Sequence, residues 1–66
     1  MRLLVNGSPL DAPDGASVAL LIDQLKLAGR RLAVECNGEI VVRSSYAETR
    51  LHEGDTLEIV QAIGGG

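Results

Sequence analysis

The sequence predicts an α+β fold: a mixed sheet of four to five strands wrapped on one helix, in the order ββαβββ. Three observations carry this. Two Asn–Gly pairs, Asn6-Gly7 and Asn37-Gly38, each sit between short apolar runs and mark hairpins, because both residue types tolerate positive φ. One segment alone, beginning at Val18, has helical periodicity. A last alternating run follows the turn Glu53-Gly54-Asp55 and needs a place where its apolar side meets that helix.

In order, Arg2-Leu3-Leu4-Val5 reads as the first strand, with Leu3 and Val5 on one face and Leu4 on the other. The second runs around Pro9 to Ala12. Pro9 has no N–H to give a ladder, so this strand belongs at an edge. Pro13-Asp14-Gly15 is a turn, and Ser17 stands where a helix N-cap should. Val18, Leu21, Ile22 and Leu25 fall at i, i+3, i+4 and i+7, one apolar stripe of a helix reaching about Leu27 and ended by Gly29. Leu32 to Cys36 alternates as a third strand, and Ile40-Val41-Val42 makes a short fourth. Ser44 to Arg50 is a turn or a short helical turn. Thr56 to about Ile63 is the last strand, with Leu57 and Ile59 opposite Glu58 and Val60. Placing that strand beside the first and parallel to it lets its apolar face meet the helix. This arrangement is a β-grasp, with the last strand central and the chain's end leaving from its tip. Residues 1–63 form the expected domain and 64–66 a flexible glycine tail.

The bulk numbers narrow the function classes. A chain of 66 residues buries only about 60% of its unfolded surface, and one cysteine and one histidine rule out an internal disulfide and argue against a structural metal. The net charge of −3 and the absence of Trp and Phe argue against nucleic acid. The charge is uneven, since six acidic and two basic residues lie from Val34 onward; this reads as a solvated acidic surface, the sharper alternative being an acidic patch that steers the domain toward a basic partner. No apolar run is long enough to cross a membrane, and a cytoplasmic protein with a reduced thiol is expected.

Few residues suit catalysis. Cys36 shares a strand face with Leu32 and Val34, has no basic neighbour in sequence, and reads as a small apolar filler. His52 stands alone beside Glu53 and Gly54 and reads as a surface turn residue. No metal set and no phosphate loop is present.

The ending Gly64-Gly65-Gly66 is different. Glycines lack side chains, so such a tail can thread a narrow channel in a partner. The Gly66 carbonyl carbon is open to nucleophiles, yet its carboxylate is a poor electrophile until activated. A domain with no active site of its own and an accessible carboxylate reads as a protein substrate.

The initial strand MRLLVNG, the Ser17-capped SVALLIDQL, the hairpin AVECNGEIV, the turn EGDTLEIV and the ending AIGGG together resemble the ThiS sulfur carriers of thiamine biosynthesis, ubiquitin-like β-grasp proteins, over essentially the whole chain. The resemblance implies that a ThiF-like adenylyltransferase, using ATP and magnesium, adenylates the Gly66 carboxylate. Sulfur from a persulfide, supplied by a cysteine desulfurase, then gives a Gly66 thiocarboxylate, which thiazole synthase consumes. Gly64 and Gly65 would lie in the partner's channel. The carrier itself would bind no cofactor and would not be an enzyme. Val60, Ile63 and Leu4 are expected to form a small apolar docking patch; the alternative is that Val60 and Leu4 pair across adjacent strands. Three other readings stay open: a molybdopterin-synthase-type small subunit, disfavoured because QAIGGG lacks an aromatic, proline-rich approach; a ubiquitin-like modifier of lysines; and a plain interaction module.

Overall fold

The last strand of the chain lies in the middle of the sheet. The structure, a computed structural model, describes residues 1–62. Its strands are β1 (Arg2–Val5), β2 (Ser8–Asp11), β3 (Leu32–Cys36), β4 (Glu39–Val41) and β5 (Thr56–Gln61), with one helix, α1 (Val18–Gln24). The sheet order is β2-β1-β5-β3-β4. β5 runs parallel to β1, with Leu4 opposite Thr56 and Val5 opposite Leu57. It runs antiparallel to β3, from Leu32 opposite Gln61 to Cys36 opposite Leu57.

Both hairpins form where the Asn–Gly pairs stand. Asn6 and Gly7 have φ of 51° and 83°, and Asn37 and Gly38 have φ of 53° and 85°. Positive φ at both central residues matches the twist of the flanking strands. β2 is an edge strand, as Pro9 requires.

The helix begins where expected and ends sooner. Ser17 Oγ accepts the Leu20 N–H at 3.1 Å. The Val18 and Ala19 N–H groups donate to the Thr49 and Tyr46 carbonyls, at 2.9 and 3.0 Å. The open donors of the first turn are therefore taken up by the segment before β5. At the other end α1 stops at Gln24 rather than near Leu27, and Gly29 does not close it. Lys26 takes the left-handed conformation, at φ 62°. Its N–H donates to the Asp23 carbonyl and the Leu27 N–H reaches back to the Ile22 carbonyl, each at 2.9 Å. This paired closure turns Leu27 back toward the core, where it packs partly buried. Gly29, also at positive φ, serves the following turn.

Between β4 and β5 the chain makes one 3-10 turn, Arg43–Ser45. It then runs past the helix start, and the Leu51 N–H donates to the Ala16 carbonyl at 2.8 Å. The core lies between α1 and one sheet face: Leu3, Val5, Val34, Leu57 and Ile59 from the strands, Val18, Leu21 and Ile22 from the helix, with Ala12, Ala16 and Leu51 closing its rim. The opposite sheet face is open to solvent.

Candidate functional site

β5 is held on each side by an asparagine from a hairpin turn. β1 stops pairing after Val5, so the β1-side edge of β5 would be bare at Ile59. Asn6 fills that place. Its Oδ1 accepts the Ile59 N–H at 2.8 Å and its Nδ2 donates to the Ile59 carbonyl at 3.0 Å. One side chain thus stands in for a strand residue. Asn37 fastens the start of β5 differently: its Oδ1 accepts the Thr56 N–H and its Nδ2 donates to the side-chain Oδ1 of Asp55, both at 3.0 Å.

Asp55 also accepts the His52 N–H at 2.8 Å. Desolvation, the largest single influence on this carboxyl, pushes its pKa up. The hydrogen bonds from Asn37 and the His52 backbone, with smaller contributions from the His52 ring and the Cys36 thiol, act the other way, and the pKa lies below the ordinary carboxylate value. His52 itself is exposed at the turn, its Nδ1 3.9 Å from Asp55 Oδ2.

Alternation along β5 leaves Thr56, Glu58 and Val60 facing outward. Val60 is 61% exposed and Leu4 41% exposed, both on the open face. They do not meet. Leu4 is opposite Thr56, four residues before Val60, so about 13 Å separates them at the strand rise of about 3.3 Å per residue. Val60 instead stands opposite Ala33. Continuing the β3–β4 register, in which Val34 faces Val41, puts Val42 on the other side of Ala33. Ile40 lies one step along the same face. Ile40 and Val42 are 76% and 57% exposed. The apolar residue beside Val60 is therefore Ala33, with Val42 beyond it in the same row across the sheet. The Asn37-Gly38 turn already fixes the Ala33–Val42 pairing; what the sequence left open was that β3 lies next to β5. Ile63, Gly64, Gly65 and Gly66 lie outside the described residues; the chain continues to them from Ala62.

Cys36 is half-buried and lines a groove of about 400 Å³ together with Asn37, Glu39, Arg50, His52 and Asp55. The fold thus brings a cation and an imidazole into a groove with a thiol that has no basic neighbour in sequence. Desolvation nonetheless pushes the Cys36 pKa up, and the nearby Asp55 carboxylate adds to the rise. The thiolate is disfavoured, which suits a packing role rather than a nucleophile. Among the described residues no group of three His, Cys, Asp or Glu side chains could hold a metal ion. No helix among them is long and apolar enough to cross a membrane.

The ThiS family matches residues 2–66 of this sequence. The chain belongs to the ThiS family. The crystal structure of a thiamine biosynthesis protein (ThiS) from Geobacter metallireducens superimposes with a TM-score of 0.82 at 36% identity, covering all of both chains. The five-stranded mixed sheet with one helix is the β-grasp fold of that family. The sulfur carrier protein ThiS of Escherichia coli is 34% identical over 68 aligned positions, again covering all of both chains. A thiazole synthase from Paramagnetospirillum magneticum is 44% identical over 66 residues. The chain spans only about a fifth of that protein's length, and of a second thiazole synthase, from Magnetococcus marinus.

Proposed function

We propose that this protein is a sulfur carrier for thiamine biosynthesis, with the Gly66 carboxylate as its reactive group. The observation that carries the reading is the family match through Gly66, together with end-to-end alignment to a sulfur carrier of nearly the same length. The fold suits the role. β5 is central, clamped by Asn6 and Asn37, and gives a rigid base from which residues 63–66 continue.

In this reading a ThiF-like adenylyltransferase joins the Gly66 carboxylate to the AMP portion of ATP, with magnesium, and pyrophosphate leaves. Activation is needed because a carboxylate resists nucleophiles and an acyl phosphate does not. A persulfide sulfur, derived through a cysteine desulfurase, attacks the acyl carbon and AMP departs. A thiol then cleaves the acyl disulfide, leaving a thiocarboxylate. Thiazole synthase takes that sulfur and the carboxylate returns. The similarity of this whole chain to part of two thiazole synthases supports that enzyme as the consumer. All these steps use a partner's groups, so this chain acts as a substrate rather than an enzyme. The cytoplasm is the compartment proposed for them.

Intact mass spectrometry after expression in cells with the pathway tests the reading. The expected result is a gain equal to exchanging one oxygen for sulfur, mapped to Gly66. A ladder of lysine conjugates would replace the carrier with a protein modifier. Full function after deletion of Gly65 and Gly66 would leave only an interaction module.

A further inference from the structure

The two Asn–Gly hairpins have the same geometry but end the sheet differently. In a two-residue hairpin the pair flanking the turn exchanges both hydrogen bonds, and the next pair exchanges none. That next pair is Leu4 with Pro9 in one hairpin and Glu35 with Ile40 in the other. Bonds to β5 agree. The Asn37 N–H donates to the Thr56 carbonyl at 2.7 Å, and the Ala62 N–H donates to the Arg31 carbonyl at 2.9 Å. Glu35 lies between these positions at even spacing, so its backbone groups turn toward β5 and away from β4. The N–H and carbonyl of Ile40 therefore point out from the edge of the sheet, and among the described residues they have no hydrogen-bond partner. At the other edge the equivalent position is Pro9, which has no N–H to offer. One edge is blocked and the other is not.

The open edge is also apolar. Ile40 is the most exposed large apolar side chain among the described residues, and Val42 is exposed beside it. An unblocked edge of this kind is a template for another strand. On the helix side the same edge borders the groove, where Glu39, Val41, Thr49 and Arg50 lie together. Arg50 donates from Nη1 to the Gly15 carbonyl at 3.1 Å. Among the described residues the ion pairs are Met1–Asp14, Arg2–Asp11 and His52–Asp55, so neither Glu39 nor Arg50 is in one.

We propose that the outer edge of β4 pairs with the same edge of a second copy of this chain, antiparallel, about a two-fold axis at Ile40. Each Ile40 then gives its N–H to the other's carbonyl, two bonds made by one symmetry operation. Ile40 and Val42 of both copies come together on the open face and leave water. In this register Glu39 stands opposite Val41 of the second copy, at the rim of the groove that holds that copy's Arg50. Each carboxylate thus gains a cation across the axis. A second copy is favoured over a foreign strand because the same rotation that satisfies the backbone brings an isoleucine to Ile40 and a carboxylate to Arg50. The result is a sheet of ten strands with a Pro9-bearing β2 at both ends. β4 and β5 both run antiparallel to β3, so the two β5 strands run in opposite directions. The chains beyond Ala62 leave from opposite ends of the joined sheet, and neither covers the other. The pairing does not depend on the carrier reading.

The test is sedimentation velocity on the full chain over a concentration series reaching about 1 mM, with amide hydrogen exchange followed on the same samples. The expected mass rises from 6.9 kDa toward twice that value. The three-residue edge is short, so the dissociation constant is expected between about 1 μM and 1 mM, and exchange of the Ile40 amide slows as the dimer forms. Ile40→Lys sets like charges opposite each other at the axis and is expected to weaken pairing about tenfold or more. Ile40→Pro removes only the outward N–H, as Pro9 does at the other edge. It is expected to abolish pairing while the domain still unfolds cooperatively. Glu39→Arg alone and Arg50→Glu alone are each expected to weaken pairing about tenfold, and the two together to restore it. Wild-type chain that stays monomeric at about 1 mM would overturn the proposal and leave the edge to a strand of another protein. A dimer that both Ile40 variants leave intact would also overturn it, since the contact would lie elsewhere. Failure of the charge swap to restore pairing would overturn the register.

Discussion

Leu57 and Glu58 are adjacent in sequence, in the same central strand, and their environments are opposite. Leu57 is fully buried under α1, and Ile59 nearly so. Glu58 and Val60 face solvent on the other side of the same backbone. The comparison teaches that one strand carries two separable tasks. Its inner side holds the domain together, and its outer side is free to be shaped for contact with another molecule. The two tasks share only the backbone, which Asn6 and Asn37 fasten from either side.

The strongest way to break that separation is on the inner side. Leu57→Ala removes a fully buried side chain next to the helix and is expected to destabilise by about 2–5 kcal/mol. Chemical denaturation measures this; a loss below about 1 kcal/mol would mean that β5 is not the centre of the core.

The next largest effect tests the clamp. Asn6→Gly keeps a residue suited to positive φ but removes both hydrogen bonds to Ile59. The expected loss is about 1–2 kcal/mol, with faster amide hydrogen exchange concentrated at Ile59. Unchanged exchange there would show that water replaces the side chain without penalty.

On the outer side the effect on folding should be small. Val60→Asp is expected to cost less than about 1 kcal/mol while weakening binding to the proposed adenylyltransferase partner. If it unfolds the domain as Leu57→Ala does, the two sides of β5 are not separable.

The smallest effect is confined to acid. Because the Asp55 pKa is lowered in the folded state, its contribution is fully present above the unfolded carboxylate value of about 3.9. It is lost as pH falls through the lower, folded value. Asp55→Asn should therefore show a shallower fall in Tm than wild type below about pH 4. Parallel Tm curves in that range would contradict the hydrogen-bonding account of Asp55.

Much of this was readable from local chemistry. The Asn–Gly pairs specify two-residue hairpins because few other residues accept positive φ twice in succession. Ser17 marks the helix start because its hydroxyl accepts an N–H that the first turn leaves open. The helix end was less legible. Gly29 looked like the terminator, but the chain closes earlier on Lys26, because burying Leu27 against the core draws the backbone back over Ile22. At the candidate site, Val60 could be placed on an outward face from alternation alone. Its neighbours could not, since they depend on which strand lies beside it.

By itself, then, the sequence determined the elements, their order, the faces of each strand and the glycine ending, all of which follow from residue conformational preferences and two-residue alternation. Only the tertiary structure decided that Val60 adjoins Ala33 rather than Leu4, that Glu35 faces Glu58, and that two turn asparagines clamp β5. Those depend on the register between strands distant in the chain, which is set by the packing of Leu57, Ile59 and Val34 against α1 and by no local signal.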